Sequence, residues 1–155
     1  MKTLKIFTVL FLFSLFGTTL CAQDAAQNKA ACLKVYECIN NQDFDCMAEL
    51  MADDMIEYAA PEPVQGKDNV LQGIREYFEA FDMQVVPDKM VAEGNTVMIL
   101  VTATGTWKKD FMGMKATGKS FRIQDVDILE FDDAGKVKAH WSVQDPMVMM
   151  SQIAN

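Results

Sequence analysis

The chain changes its hydrophobic period near its midpoint. Up to Phe81 apolar residues recur at three- and four-residue spacings, and beyond it they alternate with polar ones. A spacing near 3.6 puts side chains on one face of a helix, and a spacing of two puts them on one face of a strand. Helices followed by a run of adjacent strands leave few architectures open. The pattern predicts an α+β domain with helices on one face of a curved, mainly antiparallel sheet.

From Ala25 to Asn40 the residues Cys32, Val35, Tyr36 and Ile39 make one helical stripe. Asp43 is placed to cap a second helix carrying Phe44, Met47, Leu50 and Met51. The segment "MIEYAAPEPVQGKDN" then reads as a short strand and a loop punctuated by Pro61, Pro63 and Gly66. Asp68 is expected to cap a third helix, whose apolar face is Val70, Leu71, Ile74, Tyr77, Phe78 and Phe81. Strands follow at 83 to 92, "TVMILVTATGTW", "SFRIQDVDILEF" and "KVKAHWSVQD", with "PMVMMSQI" as a short tail helix.

The first 22 residues have a different character. Lys2 and Lys5 precede an apolar run from Ile6 to Phe16, followed by small and polar residues and "LCAQD". That is the form of a secretory signal peptide, with cleavage expected after Ala22 and residues 23 to 155 as one domain. Lipoprotein processing at Cys21 is the rival reading, disfavoured by the large Leu20 before it. The expectation is therefore an exported, periplasmic or secreted protein with no membrane span. With Lys2 and Lys5 removed, 12 basic side chains face 22 acidic ones, which makes nucleic acid and anionic lipid surfaces poor partners.

Three cysteines remain, Cys32, Cys38 and Cys46. Cys32 and Cys38, six apart, fall nearly on opposite sides of one helix and should not pair with each other, whereas Cys38 and Cys46 could meet across "NNQDFD". A Cys38–Cys46 disulfide and three unpaired core thiols both stand as readings. The spacings match no usual metal-ligand set, and there is no phosphate loop or nucleophile elbow. No metal or other cofactor is called for.

In "SFRIQDVDILEF" the alternation puts Phe121, Ile123, Asp125, Asp127, Leu129 and Phe131 on one face. Two carboxylates thus interrupt an apolar surface. If that face is buried, desolvation raises a carboxyl pKa toward neutrality and makes Asp127 or Asp125 a candidate acid/base for a proton beside a carbonyl. If the other register is buried, they are ordinary surface aspartates. In the last strand, Val137, Ala139, Trp141 and Val143 alternate with Lys138, His140 and Ser142, which predicts Trp141 in the core and His140 on the polar face. His140, the one histidine, joins the chemistry only if that polar face meets a pocket. Asp145 either closes the pocket mouth or caps the tail helix, the cap being the favoured reading.

The pieces "YECINNQDFDCMAELMADDM", "PEPVQGKDNV", "GTW" with "TGKSF", and "DVDILEFDDAGKVKAHWSVQD" together resemble, in order and spacing, the SnoaL-like polyketide or ester cyclase group of the cone-shaped NTF2-like fold. The resemblance implies three helices packed on a curved sheet, an apolar pocket between them, and a homodimer formed through the open face of the sheet. It also implies a small apolar, carbonyl-bearing ligand and cofactor-free acid/base chemistry at a carboxylate, with Asp127, Asp125 and His140 as candidates. Tyr58, Tyr77, Phe81, Trp107, Phe121, Ile123, Leu129 and Trp141 are the candidate pocket residues, and Phe111, Met112 and Met114 form either a lid or an exposed hairpin. Trp107 stands where the cyclases commonly carry a histidine after the Gly-Thr pair, so a close copy of their chemistry is not implied. A non-catalytic binding or envelope interaction module is the competing reading, because this fold hosts both.

Overall fold

A computed structural model describes residues 25 to 154. The expected signal peptide, its cleavage after Ala22 and the rival lipidation at Cys21 lie outside the described residues. Helix α1 covers 25 to 40, and its stripe buries Cys32 and Tyr36 and half-buries Val35 and Ile39. The end of α1 is anchored by Asn40, whose side-chain amide donates to the Val85 carbonyl at 2.7 Å while its carbonyl accepts from the Val85 N–H at 2.8 Å. Asp43 caps α2 (Phe44–Leu50) by accepting the Cys46 N–H at 3.0 Å. A disulfide joins Cys38 to Cys46 across the turn, their Cα atoms 5.8 Å apart. Cys32 is a buried free thiol, and burial pushes its pKa up to about 12.

Three local expectations are corrected. Met51 opens strand β1 (Met51–Glu57) instead of continuing the second helix. Val64–Gln65 pair with Ile56 and Glu57 as strand β2, a pairing invisible in a segment broken by two prolines. The cap of α3 (Lys67–Phe81) is Gly66, at φ 92° where glycine is favoured, and Asp68 lies in the first turn instead.

Strands β3 (Gln84–Glu93), β4 (Thr96–Thr106), β5 (Ser120–Phe131) and β6 (Val137–Val143) complete a six-stranded curved sheet ordered β2-β1-β6-β5-β4-β3. All neighbours are antiparallel except β1 and β6. Val97, Ile99, Val101 and Ala103 of β4 turn inward with Phe121, Ile123, Leu129 and Phe131 of β5 and meet the helices. This inner face is the hydrophobic core.

The decisive irregularity lies between β5 and β6. Phe131 pairs with Val137 and Glu130 pairs with Ala139, so Lys138 is an extra residue on β6. Such a bulge reverses the facing of everything beyond it. Val137 turns inward with Phe131, yet after the bulge His140 and Ser142 are the inward residues, level with Leu129 and Asp127. Trp141 is turned to the outer face, opposite Ile128, where its ring stacks on Tyr58 at 4.7 Å with planes 2° apart. The expected placement of Trp141 in the core and His140 outside is thereby reversed. Tyr58, next to Glu57 on β1, is exposed on the same outer side.

Helix α4 (Pro146–Ile153), capped by Asp145 through the Met147 N–H, closes one end of the cone. Strand β6 pairs with β5 only from Val126 onward, which leaves the first half of β5 without a neighbour on that side. Gln152 of α4 occupies the gap, accepting the Arg122 N–H at 2.9 Å and donating to the Arg122 carbonyl at 3.1 Å. Ile153 is fully buried and Met149 nearly so.

Close packing at the other end of β4 is tested by Gly105. A Cβ there would lie 2.6 Å from the Phe81 carbonyl oxygen, 2.8 Å from Phe121 and 2.9 Å from Met83. Gly105→Ala is expected to cost about 1–3 kcal/mol by overpacking, read as a lowered urea midpoint. An unchanged midpoint would mean that the end of α3 yields freely.

Candidate functional site

Four elements converge on a polar cluster inside the cone. β5 contributes Asp125 and Asp127 because its alternation points both inward, and β6 contributes His140 and Ser142 because of the bulge at Lys138. β1 contributes Glu57, whose parallel register sets it directly beside His140. α1 contributes Tyr36 from its buried stripe.

The contacts form two groups. The Tyr36 hydroxyl donates to Asp127 Oδ2 at 2.8 Å, and His140 Nε2 faces Asp127 Oδ1 at 3.5 Å. On its other side, His140 Nδ1 lies 2.7 Å from Glu57 Oε2. Asp125 forms the second group, with its Oδ2 accepting the Ser142 hydroxyl at 2.5 Å and its Oδ1 accepting the Val126 N–H at 2.7 Å. Among the described residues no buried side-chain polar atom is left without a partner, as a low-dielectric interior requires.

Burial and neighbouring charge set the protonation states. Burial by itself would lower the His140 pKa, but hydrogen bonds to Asp127 and Glu57 and the charge of both carboxylates outweigh it and raise the value to about 10. His140 is therefore an imidazolium at neutral pH. Asp125 is raised by burial, with the Asp127 charge adding, while its Ser142 and Val126 hydrogen bonds pull the other way. Burial and then the Asp127 charge push the Tyr36 pKa well above the usual phenol range, so its hydroxyl remains a donor.

An aromatic group stands beside these polar residues. Phe81 lies 4.9 Å from Tyr77, 5.7 Å from Trp107, 5.4 Å from Phe111 and 6.1 Å from Phe121 between ring centroids. Trp107 is 2 % exposed, and its indole N–H donates to the Lys109 carbonyl at 2.8 Å. The Tyr77 hydroxyl meets Met149 Sδ of α4 at 3.8 Å, and burial with the Asp125 charge raises its pKa to about 12. Phe111 packs into this group while Met112 and Met114 are exposed.

Of the candidates read from the sequence, Asp125, Asp127 and His140 are brought together, and Tyr77, Phe81, Trp107, Phe121, Ile123 and Leu129 line the interior. Tyr58 and Trp141 are not among them, since both lie on the outer face. Sequence reading passed over Tyr36, Glu57 and Ser142. Tyr36 was legible as a stripe residue, though its partner is 91 residues away. Among the described residues no group of three His, Cys, Asp or Glu side chains has the arrangement to hold a metal ion.

The cluster ties stability to pH. The His140 pKa is raised from 6.5 to about 10 on folding, so its contribution is full below about pH 6.5 and is lost as pH rises through about 10. The melting temperature is expected to fall over that window, and His140→Asn to flatten the fall. Parallel profiles for the two proteins would contradict the assigned charge.

The family described as SnoaL-like polyketide cyclase matches residues 29 to 153. AclR of Streptomyces galilaeus, a candidate hydroxylase, is similar at 27% identity over 82% of this chain and 95% of its own, with a TM-score of 0.71. A candidate SnoaL-like polyketide cyclase of Jannaschia sp. CCS1 superposes with a TM-score of 0.78 at 23% identity, over 84% of this chain and 93% of its own. An LEH-like epoxide hydrolase of Mycobacterium tuberculosis shares the fold with a TM-score of 0.69 at 15% identity, over 83% and 90% of the two chains. No curated protein matches.

Proposed function

This chain belongs to the SnoaL-like polyketide cyclase family, and from that premise we propose that it binds a small apolar, carbonyl-bearing molecule in its cone and moves a proton on it without a cofactor. The observation that carries this reading is the placement of Asp127 and Asp125 on the buried face of β5 with Tyr36 and His140 around them. Asp127 is the base that takes the proton from the carbon next to the carbonyl. The electron pair left behind becomes an enolate, whose oxygen is steadied by the Tyr36 hydroxyl or by a proton on Asp125. Return of that proton from Asp127 to a different carbon of a conjugated enolate completes an isomerisation; attack of the enolate carbon on a second carbonyl opens its C=O π bond, and the alkoxide so formed takes the proton from Asp127 to complete a ring. Two neighbouring carboxyl groups in different environments suit this division of roles, since Asp125 is displaced toward the neutral acid.

A second reading, a non-catalytic binding or envelope interaction module, draws on two specific observations. Aromatic side chains and Met149 crowd the cone beside the carboxylates, and Asp127 is itself engaged by Tyr36 and His140. The two readings part on one experiment. 2-Tetralone is an apolar ketone with exchangeable α-protons, and its deuterium uptake in heavy water can be followed by proton NMR. Catalysed uptake that falls about 100- to 10,000-fold in Asp127→Asn is expected from the loss of a general base. Undiminished uptake in the variant removes Asp127 from the chemistry. Ketone binding without catalysed uptake in the wild type selects the second reading.

Two properties accompany either reading. Export rests on the basic and apolar character of the first 22 residues. Homodimerisation through the outer sheet face is supported by exposed Val86, Val91, Met98 and Val143 on strands β3, β4 and β6. Light scattering is expected to give twice the chain mass, and a monomer after Met98→Lys with Val143→Lys. A wild-type monomer at working concentration would count against the pairing.

A further inference from the structure

We propose that Glu57 is the positioning residue of this site: it holds His140 as a cation with Nε2 turned to Asp127, so that the carboxylate proposed to act on the ligand works beside a fixed positive charge. The inference rests on the proton-transfer reading only for its consequence. The arrangement itself stands on geometry.

Glu57 is fixed from both of its oxygens. Oε2 meets His140 Nδ1 at 2.7 Å, and Oε1 accepts the Ala59 N–H at 2.8 Å. The backbone beside it is fixed too, because the Tyr58 N–H donates to the His140 carbonyl at 2.8 Å and the Tyr58 ring stacks on Trp141. Glu57 and His140 are directly paired in the parallel register of β1 and β6. With its Nδ1–H bound to Glu57, the imidazole can present only Nε2 to Asp127. A carboxylate on the far nitrogen of a histidine both orients the ring and raises its basicity, as it does for histidines that bind metals.

The charged groups that bear on His140 are Asp127 and Asp125 of β5 and Glu57 of β1, while Ser142 of β6 bears on Asp125 and Tyr36 and Cys32 of α1 bear on Asp127. Glu57 and Asp127 are the two carboxylates in direct contact with the ring. They differ in reach. Asp127 is 3.5 Å from the ring and shared with Tyr36, whereas Glu57 is 2.7 Å away and, among the described residues, meets no other side-chain donor. The sequence of contacts Glu57, His140, Asp127, Tyr36 thus runs from β1 across the sheet to α1, with one cation between two anions. A cation so held sets a fixed positive charge beside Asp127. It cannot itself accept a proton at neutral pH, which separates its role from that of a general base.

Because the chain has one histidine, its ring gives a single set of NMR signals. In 15N-labelled protein at pH 7 both ring nitrogens are expected to be protonated, with the Nδ1 proton shifted downfield by Glu57. A neutral ring at pH 7 would overturn the proposal without any variant. Glu57→Gln keeps the shape and removes the charge. It is expected to lower the His140 titration midpoint by about one pH unit or more, to remove the downfield proton, and to shift the pH profile of 2-tetralone exchange in parallel. Glu57→Asp is expected to restore part of the effect. An unmoved titration in Glu57→Gln, with circular dichroism matching the wild type, refutes the positioning role. A moved titration in a protein that never catalyses exchange sustains the role of Glu57 and refutes only the proton-transfer reading.

Discussion

One inserted residue decides what the inside of this cone contains. Lys138 forms the bulge that opposes Glu130 and Phe131, and beyond it the inward positions of β6 become His140 and Ser142. In a regular strand Trp141 would have faced the helices, and the two aspartates of β5 would have been buried without a cation. The bulge exchanges an aromatic wall for a hydrogen-bonding one. It also sets the indole on the outer surface, where stacking with Tyr58 covers part of it. The position of Glu57 relies on the same phase, since its register with His140 follows the bulge.

The buried cluster survives because its charges answer one another. Burying a lone carboxylate costs several kcal/mol, and the cost falls only when opposite charge and hydrogen bonds replace the lost water. Here three carboxyl groups share one imidazolium, two hydroxyls and backbone N–H groups. The balance is incomplete. Asp125 carries the residue of the mismatch, being held away from the cation and pushed toward its neutral form. A network of this kind is stiff when satisfied, so a ligand entering it must supply polar atoms of its own where it displaces a bond.

The sequence disclosed what is local and regular. Alternation along β5 is unbroken for its whole length, so the shared face of Asp125 and Asp127 followed from counting. The stripe of α1 and the caps Asp43 and Asp145 followed in the same way. β6 misled because nothing at Lys138 marks a bulge: no glycine or proline stands there, and the polar and apolar residues continue to alternate across it. Glu57 was hidden for another reason. It lies in a short strand whose own register shifts between Met51 and Ile56, and its partner strand is parallel and at the far end of the chain. No local pattern reports such a pairing. Tyr36 shows the general limit, in that burial can be read from periodicity but a hydrogen-bond partner cannot.

The side chain of Gln152 plays the part of a missing strand. A primary amide carries an acceptor oxygen and two N–H donors; the oxygen and one N–H meet the main chain of Arg122 much as a peptide group would, and the nitrogen also donates to the Val148 carbonyl at 3.0 Å. The half of β5 left uncovered by β6 would otherwise display an open ladder edge, the feature through which sheets of separate molecules join. A single glutamine on the last helix therefore blocks that edge at Arg122, occupying from within the molecule the main-chain groups that a strand of another chain would otherwise pair with.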